Sequence, residues 1–97
     1  MLSLTSAQLR ELKARAQRLK ALLKIGKEGL SPAFLAALDE ALKHHELLKV
    51  KFDALKEQKK ELTPHLAAQS RSHLVTRVGN VVVLYRPKPP EQPAAAP

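Results

Sequence analysis

The residues with chemistry to offer gather in one short stretch, Lys24-Ile25-Gly26-Lys27-Glu28-Gly29. Two glycines enclosing two polar residues let a backbone approach a ligand without Cβ interference, and Lys24 and Lys27 add full positive charge. Ser31-Pro32 follows as a helix start, a hydroxyl N-cap before a proline whose missing N–H is not needed at the first helical position. A loop leading into a helix N-terminus suits an anion, because free N–H groups and the helix dipole both face it. A phosphodiester backbone matches this chemistry, and GXXG loops clamp nucleotide backbone in KH domains. The same spacing also serves a plain tight turn in which glycine only supplies a positive φ. A nucleotide P-loop is disfavoured, since Gly29 is followed by Leu30 and Ser31 with no Gly-Lys-Ser/Thr sequence.

Other chemistry is sparse. The 97 residues include no cysteine, which removes disulfides, thiolate zinc sites and thiol catalysis together. His44 and His45 point about 100° apart on a helix, and with His65 and His73 they form no metal-ligand set. Asp39-Glu40 and Asp53 read as solvated helix and turn residues, not as a catalytic pair. With no nucleophile beside a base and no cofactor fingerprint, neither an enzyme nor a cofactor, metal or small-molecule site is expected. The aromatics Phe34, Phe52 and Tyr85 all sit among apolar residues, so they are expected in the core and not as a platform for stacking bases.

The formal charge is +8 and the pI about 10.1, which favours polyanions as partners. Residues 1–30 carry net +5, residues 31–70 cancel, and residues 71–97 carry net +3. If the fold joins the two basic ends, they make one face. The expected contacts are Lys24, Gly26, Lys27 and Gly29, extended by Arg10, Lys13 and Arg18 on the first helix. Glu28 is included as a loop residue whose charge weakens phosphate attraction unless it faces away or bonds a base or sugar. Lys49, Lys51, Arg77 and Arg86 are further basic candidates whose side of the sheet the sequence leaves open.

These residues need positioning elements. Thr5 and Gln8 form a capping-box pattern, and Leu9, Leu12, Ala16 and Leu19 recur at helical spacing, predicting a helix over about 6–19. A strand is predicted over 21–25. A second helix over about 32–44 would bury Leu35, Leu38, Ala41 and Leu42. In a strand over 47–52, Leu48, Val50 and Phe52 point one way while Lys49 and Lys51 point the other. The helical pattern over 53–70 is interrupted by Pro64, where the third helix is expected to begin or kink. Strands at 73–78 and 81–86 flank Gly79-Asn80, glycine first, which suits a type II′ hairpin turn.

The fold class is therefore α/β, ordered helix-strand-helix-strand-helix-strand-strand, with a mixed four-stranded sheet. One domain is expected over 1–87. Residues 88–97 form a Pro/Ala-rich tail with no apolar periodicity, expected to be disordered. No apolar run approaches the roughly 20 residues of a membrane span, and no leader pattern opens the chain, so a soluble, cytoplasmic protein without membrane partners is expected.

Several separated blocks resemble the YhbY-type, single CRM (chloroplast RNA splicing and ribosome maturation) domain family. They are Leu4-Thr5 with Gln8, Ile25 through Leu30, Glu46 through Lys51, and Leu74-Val75 through Val78-Gly79-Asn80 to Pro87. The resemblance implies a fold of four strands and three helices, similar to the C-terminal domain of translation initiation factor three. It also implies binding of RNA, in particular ribosomal RNA or large-subunit precursor particles, during large ribosomal subunit assembly. On matching positions Gly26, Lys27 and Gly29 would form the loop contact, and Arg86 falls in the closing strand motif. Arg71 stands where the family usually has glycine, which predicts a local difference in the turn before the third strand.

Two other classes fit the charge. A DNA-binding, nucleoid-type protein would need a recognition helix, and the second helix, with Asp39 and Glu40, is too acidic to enter a groove comfortably. A protein-interaction adaptor would dock its basic helix on an acidic partner and use the proline-rich tail to recruit another.

Overall fold

The computed structural model describes residues 4–87, so the expected tail at 88–97 lies outside the described residues. Helix α1 (Ser6–Ala16) opens on the capping box: Gln8 N–H donates to the Thr5 hydroxyl at 3.1 Å, and Thr5 N–H donates to the Gln8 side chain at 2.8 Å. The helix stops short of the predicted end because the chain must turn over Gln17 and Arg18 to enter β1 (Ala21–Ile25). The N–H groups of Arg18 and Leu19 close that turn on the Arg15 and Ala16 carbonyls at 3.3 and 3.0 Å. Leu19 thereby leaves the apolar stripe and is exposed.

Helix α2 (Pro32–His44), β2 (Leu47–Phe52), β3 (His73–Val78) and β4 (Val81–Tyr85) follow the predicted pattern. Between β2 and β3 lie a 3-10 turn, Lys56–Gln58, and α3 (Lys59–Gln69). Pro64 does not start this helix but sits inside it. The cost is contained because Pro64 and Lys60, whose carbonyl loses its partner, both lie on the exposed side.

Helix α3 ends in a Schellman motif, with Ser72 N–H on the Ala67 carbonyl at 3.0 Å and Arg71 N–H on the Ala68 carbonyl at 3.2 Å. Arg71 itself adopts the left-handed conformation this motif requires, at φ 53°. The turn before β3 therefore has a glycine-type backbone carried by arginine.

The sheet order is β1-β2-β4-β3. Strands β1 and β2 pair in parallel, with Lys24 opposite Lys51 and Ile25 opposite Phe52. Strand β4 lies antiparallel to both β2 and β3, between them. The sheet is mixed as expected, but it has only one parallel ladder, because the α3 crossover carries the chain past the slot that β4 then fills. In the β3–β4 turn Gly79 has φ 60° and Asn80 does not have positive φ, as type II′ requires.

Helices α2 and α3 cover one sheet face, where Ile25, Leu38, Leu48, Val50, Phe52, Leu66 and Leu84 are essentially inaccessible. Helix α1 covers part of the other face, laying Leu12 and Ala16 over Leu47, Val75 and Val83. The result is three layers. Helix α1 packs on β2, β3 and β4, and on its side Leu22 of β1 and Val78 at the hairpin end of β3 stay 51% and 70% exposed. Among the described residues no helix is long and apolar enough to cross a membrane.

Candidate nucleic-acid interface

Gly26-Lys27-Glu28-Gly29 leaves the carboxyl end of β1 as a β-turn, closed by Gly29 N–H on the Gly26 carbonyl at 3.0 Å. Its two glycines serve different ends. Gly29 is buried at φ 66°, and a Cβ there would stand 3.2 Å from Leu55 Cδ1. Gly26 is exposed, and a Cβ there would meet nothing within 4 Å. The two readings of the motif thus meet in one loop: Gly29 makes the turn, and Gly26 leaves the backbone accessible. The Ile25 carbonyl accepts from Asp53 and Ala54 N–H, both at 3.0 Å, which fixes the base of the loop to the end of β2.

The loop borders an open recess of about 420 Å³ whose lining includes Lys24, Gly26, Lys27, Glu28, Ser31 and Phe34, so one carboxylate borders it beside the two lysines. The start of α2 offers fewer donors than expected. Pro32 has no N–H, and the Phe34 N–H is taken by Ser31 Oγ at 3.1 Å, which leaves Ala33 among the first three helical residues. Attraction here comes mainly from lysine charge. Glu28 stands exposed on the loop and forms no ion pair among the described residues.

Strand alternation settles the sides that the sequence leaves open. Lys24, Lys49 and Lys51 all project on the α1 side, because their neighbours Ile25, Leu48, Val50 and Phe52 fill the opposite core. Lys24 therefore belongs both to the loop recess and to a lysine row that crosses to β2. Lys13 of α1 and Lys49 line a common groove, and Lys49 Nζ donates to the Leu19 carbonyl at 3.0 Å. Arg10 is exposed on α1, and Arg18 sits in the turn after it, near the start of β1. Arg77 pairs with Val82 in register and so faces the other side, its guanidinium donating to the Gly79 carbonyl at 3.1 Å. One cation was not anticipated: Lys59 donates to Asn80 Oδ1 at 3.0 Å, beside the hairpin turn.

Arg86 is held elsewhere. Its N–H donates to the Glu46 carbonyl at 2.8 Å, at the end of the sheet remote from the glycine loop. About five residues of strand, roughly 16 Å, separate the two ends. Its guanidinium donates to Asp39 Oδ1 at 2.8 Å and to the Ser70 carbonyl at 2.6 Å, tying β4 to α2 and to the end of α3. Asp39 is therefore more than a solvated helix residue. The hydrogen bond from Arg86 holds its carboxyl below the usual carboxylate range, against partial desolvation. All four ion pairs among the described residues lie within the second half of α2 or join Arg86 to it. Around the loop, Lys24, Lys27 and Lys51 have no acidic partner among the described residues.

The architecture is that of a small three-layer α/β module with a glycine loop set among unpaired lysines. The chain belongs to the CRS1 / YhbY (CRM) domain family, whose model matches residues 4–86. A probable RNA-binding protein of Pseudomonas aeruginosa is 38% identical over 89 residues, covering 91% of this chain and 86% of its own length. An RNA-binding protein of Haemophilus influenzae is 34% identical over 88 residues, covering 90% and 89%. The solution structure of a hypothetical Staphylococcus aureus protein, described as a candidate RNA binder, superposes with a TM-score of 0.77 at 33% identity, covering 93% of this chain and 96% of that one.

Proposed function

We propose that this protein binds structured RNA by its phosphate backbone through the glycine loop and the lysines beside it, and that it acts on ribosomal RNA in the assembly of the large ribosomal subunit. The observation that carries the reading is the convergence of exposed Lys24 and Lys27 with Lys51, none of them paired to an acid, around a loop left open at Gly26. Lysines in this state attract phosphate and release its counterions, whereas paired lysines gain little. Family membership and the RNA-binding names of the relatives support the class of ligand; the ribosomal step extends the family resemblance. Lys13 and Lys49 extend the contact along the sheet, and Arg10 adds to the field. Arg86, engaged within the fold, is not among the proposed contacts. A role on ribosomal RNA places the protein in the cytoplasm.

The test is a titration of labelled large-subunit RNA fragments at several salt concentrations, comparing wild type with Lys24→Ala/Lys27→Ala. Neither side chain is buried, so the variant retains the fold. The expected result is roughly tenfold weaker binding, with the slope of log affinity against log salt reduced by about one for each lysine removed. Equal binding of both proteins removes the loop from the interface. Equal affinity for duplex DNA and structured RNA favours the nucleoid class, and failure to co-sediment with large-subunit precursor particles rejects the assembly role.

A further inference from the structure

Between α1 and the sheet, beyond the glycine loop, runs a groove of about 560 Å³. Its floor is aliphatic, built from Val78, Val81 and Val83, and Lys13, Gln17 and Lys49 stand along its sides. Val78 is exposed and lies directly opposite Val81, so the floor is continuous across β3 and β4. No carboxylate lines it. An occupant must therefore present an apolar face to the valines and negative charge to the lysines at short range.

We infer that this groove is a second RNA subsite that takes an unpaired nucleotide, its base lying on the valine floor and its phosphate against Lys13 and Lys49; the inference rests on the RNA reading above. Paired bases hide their faces in the helical stack, so only an unpaired nucleotide offers both an open face and an adjacent phosphate. The amide of Gln17 is placed to meet a base edge, and the aliphatic floor grips any base by area rather than by a hydrogen-bond pattern. Lys51 stands two residues from Lys49 on the same strand face and pairs in register with Lys24, so a row of cations leads from groove to loop. The span is two to three strand spacings of about 4.8 Å, short enough for a few nucleotides to cross. A second copy of this chain is a poor occupant, since both carry a net charge of +8 and repel.

The inference is tested with two labelled RNAs of equal charge, a hairpin carrying a short abasic extension and the same hairpin carrying that extension with its bases. Wild type is expected to prefer the hairpin whose extension carries bases by about tenfold, the gain from removing roughly 55 Å² of apolar base face from water. Val78→Asp, at an exposed position, and Gln17→Glu should each bring the two RNAs to equal affinity. Lys24→Ala/Lys27→Ala should weaken both RNAs together and keep the preference. The ratio is the readout because a general charge effect changes both affinities alike. Equal binding of both RNAs by wild type overturns the subsite and leaves the loop reading intact. An unchanged ratio in Val78→Asp overturns it too, as does a shift of oligomeric state in sedimentation with the ratio preserved, which would make the groove an interface between copies. If wild type binds neither RNA, the subsite and the RNA reading fall together.

Discussion

At the carboxyl ends of β1 and β2, cationic side chains stand exposed and unpaired around a loop; at the other end of the same sheet, an arginine is held by a carboxylate and a carbonyl. Both ends are basic in sequence, yet only one presents charge to an outside ligand. The difference lies in what the topology delivers. Helix α2 brings Asp39 to Arg86, while no acidic residue pairs with Lys24 or Lys27 among the described residues. Net charge alone could not separate an anchor from a contact; the position of one carboxylate does.

Arg86→Ala should have the largest effect. The charge-assisted bond to the Ser70 carbonyl is worth roughly 1.5–3 kcal/mol, so a clear fall in the urea midpoint is expected, while the folded variant keeps its RNA affinity. A loss of affinity matching that of Lys24→Ala/Lys27→Ala would break the distinction between the two ends. The same pair gives a pH test. A carboxyl whose pKa is lowered by folding contributes stability above its unfolded value of 3.8, and that contribution disappears as the pH falls through the folded value. Wild type should therefore lose stability below about pH 4 more steeply than Asp39→Asn, measured by urea denaturation across pH.

The two glycines sharpen the comparison on a smaller scale. Gly29→Ala should cost about 1–2 kcal/mol from the left-handed backbone, with the Leu55 contact adding to it. Gly26→Ala should stay within about 0.5 kcal/mol of wild type in stability yet weaken RNA binding, because its methyl projects into open space before the recess. Equal stability of the two variants would contradict the division of roles. One substitution is expected to be a gain: Arg71→Gly should raise stability by about 0.5–1 kcal/mol in thermal unfolding, since relief of the left-handed backbone outweighs the extra freedom of glycine in the unfolded chain.

Local chemistry was legible in the sequence. The capping box at Thr5 and Gln8, the Ser31-Pro32 helix start and the Gly79 hairpin all depend on neighbours within a few residues, and all three are present. The lysine alternation in β2 was legible for the same reason. What escaped depends on distant partners. Arg86 and Asp39 are 47 residues apart, and Lys59 and Asn80 are 21 apart, so no local pattern signals either bond. Gly26 and Gly29 look equivalent until Leu55 arrives beside one of them. Pro64 argues for a helix boundary by its own sterics, but Leu62, Thr63 and Leu66 around it are drawn into the core and carry the helix through. The side of Arg77 depends on the register shift between Leu74 and Thr76 against β4, which no local pattern in β3 signals.

That slot has a consequence for synthesis. Strands β1 and β2 can pair as they leave the ribosome, but β3 finds no neighbour until β4, made after it, inserts between them. Until then the groove beside α1 lacks its floor, Arg86 has not reached Asp39, and the lysine row borders an unfinished sheet. The loop and its lysines are thus built from the strands made first, whereas the groove and the Arg86 anchor are completed only with the final strand.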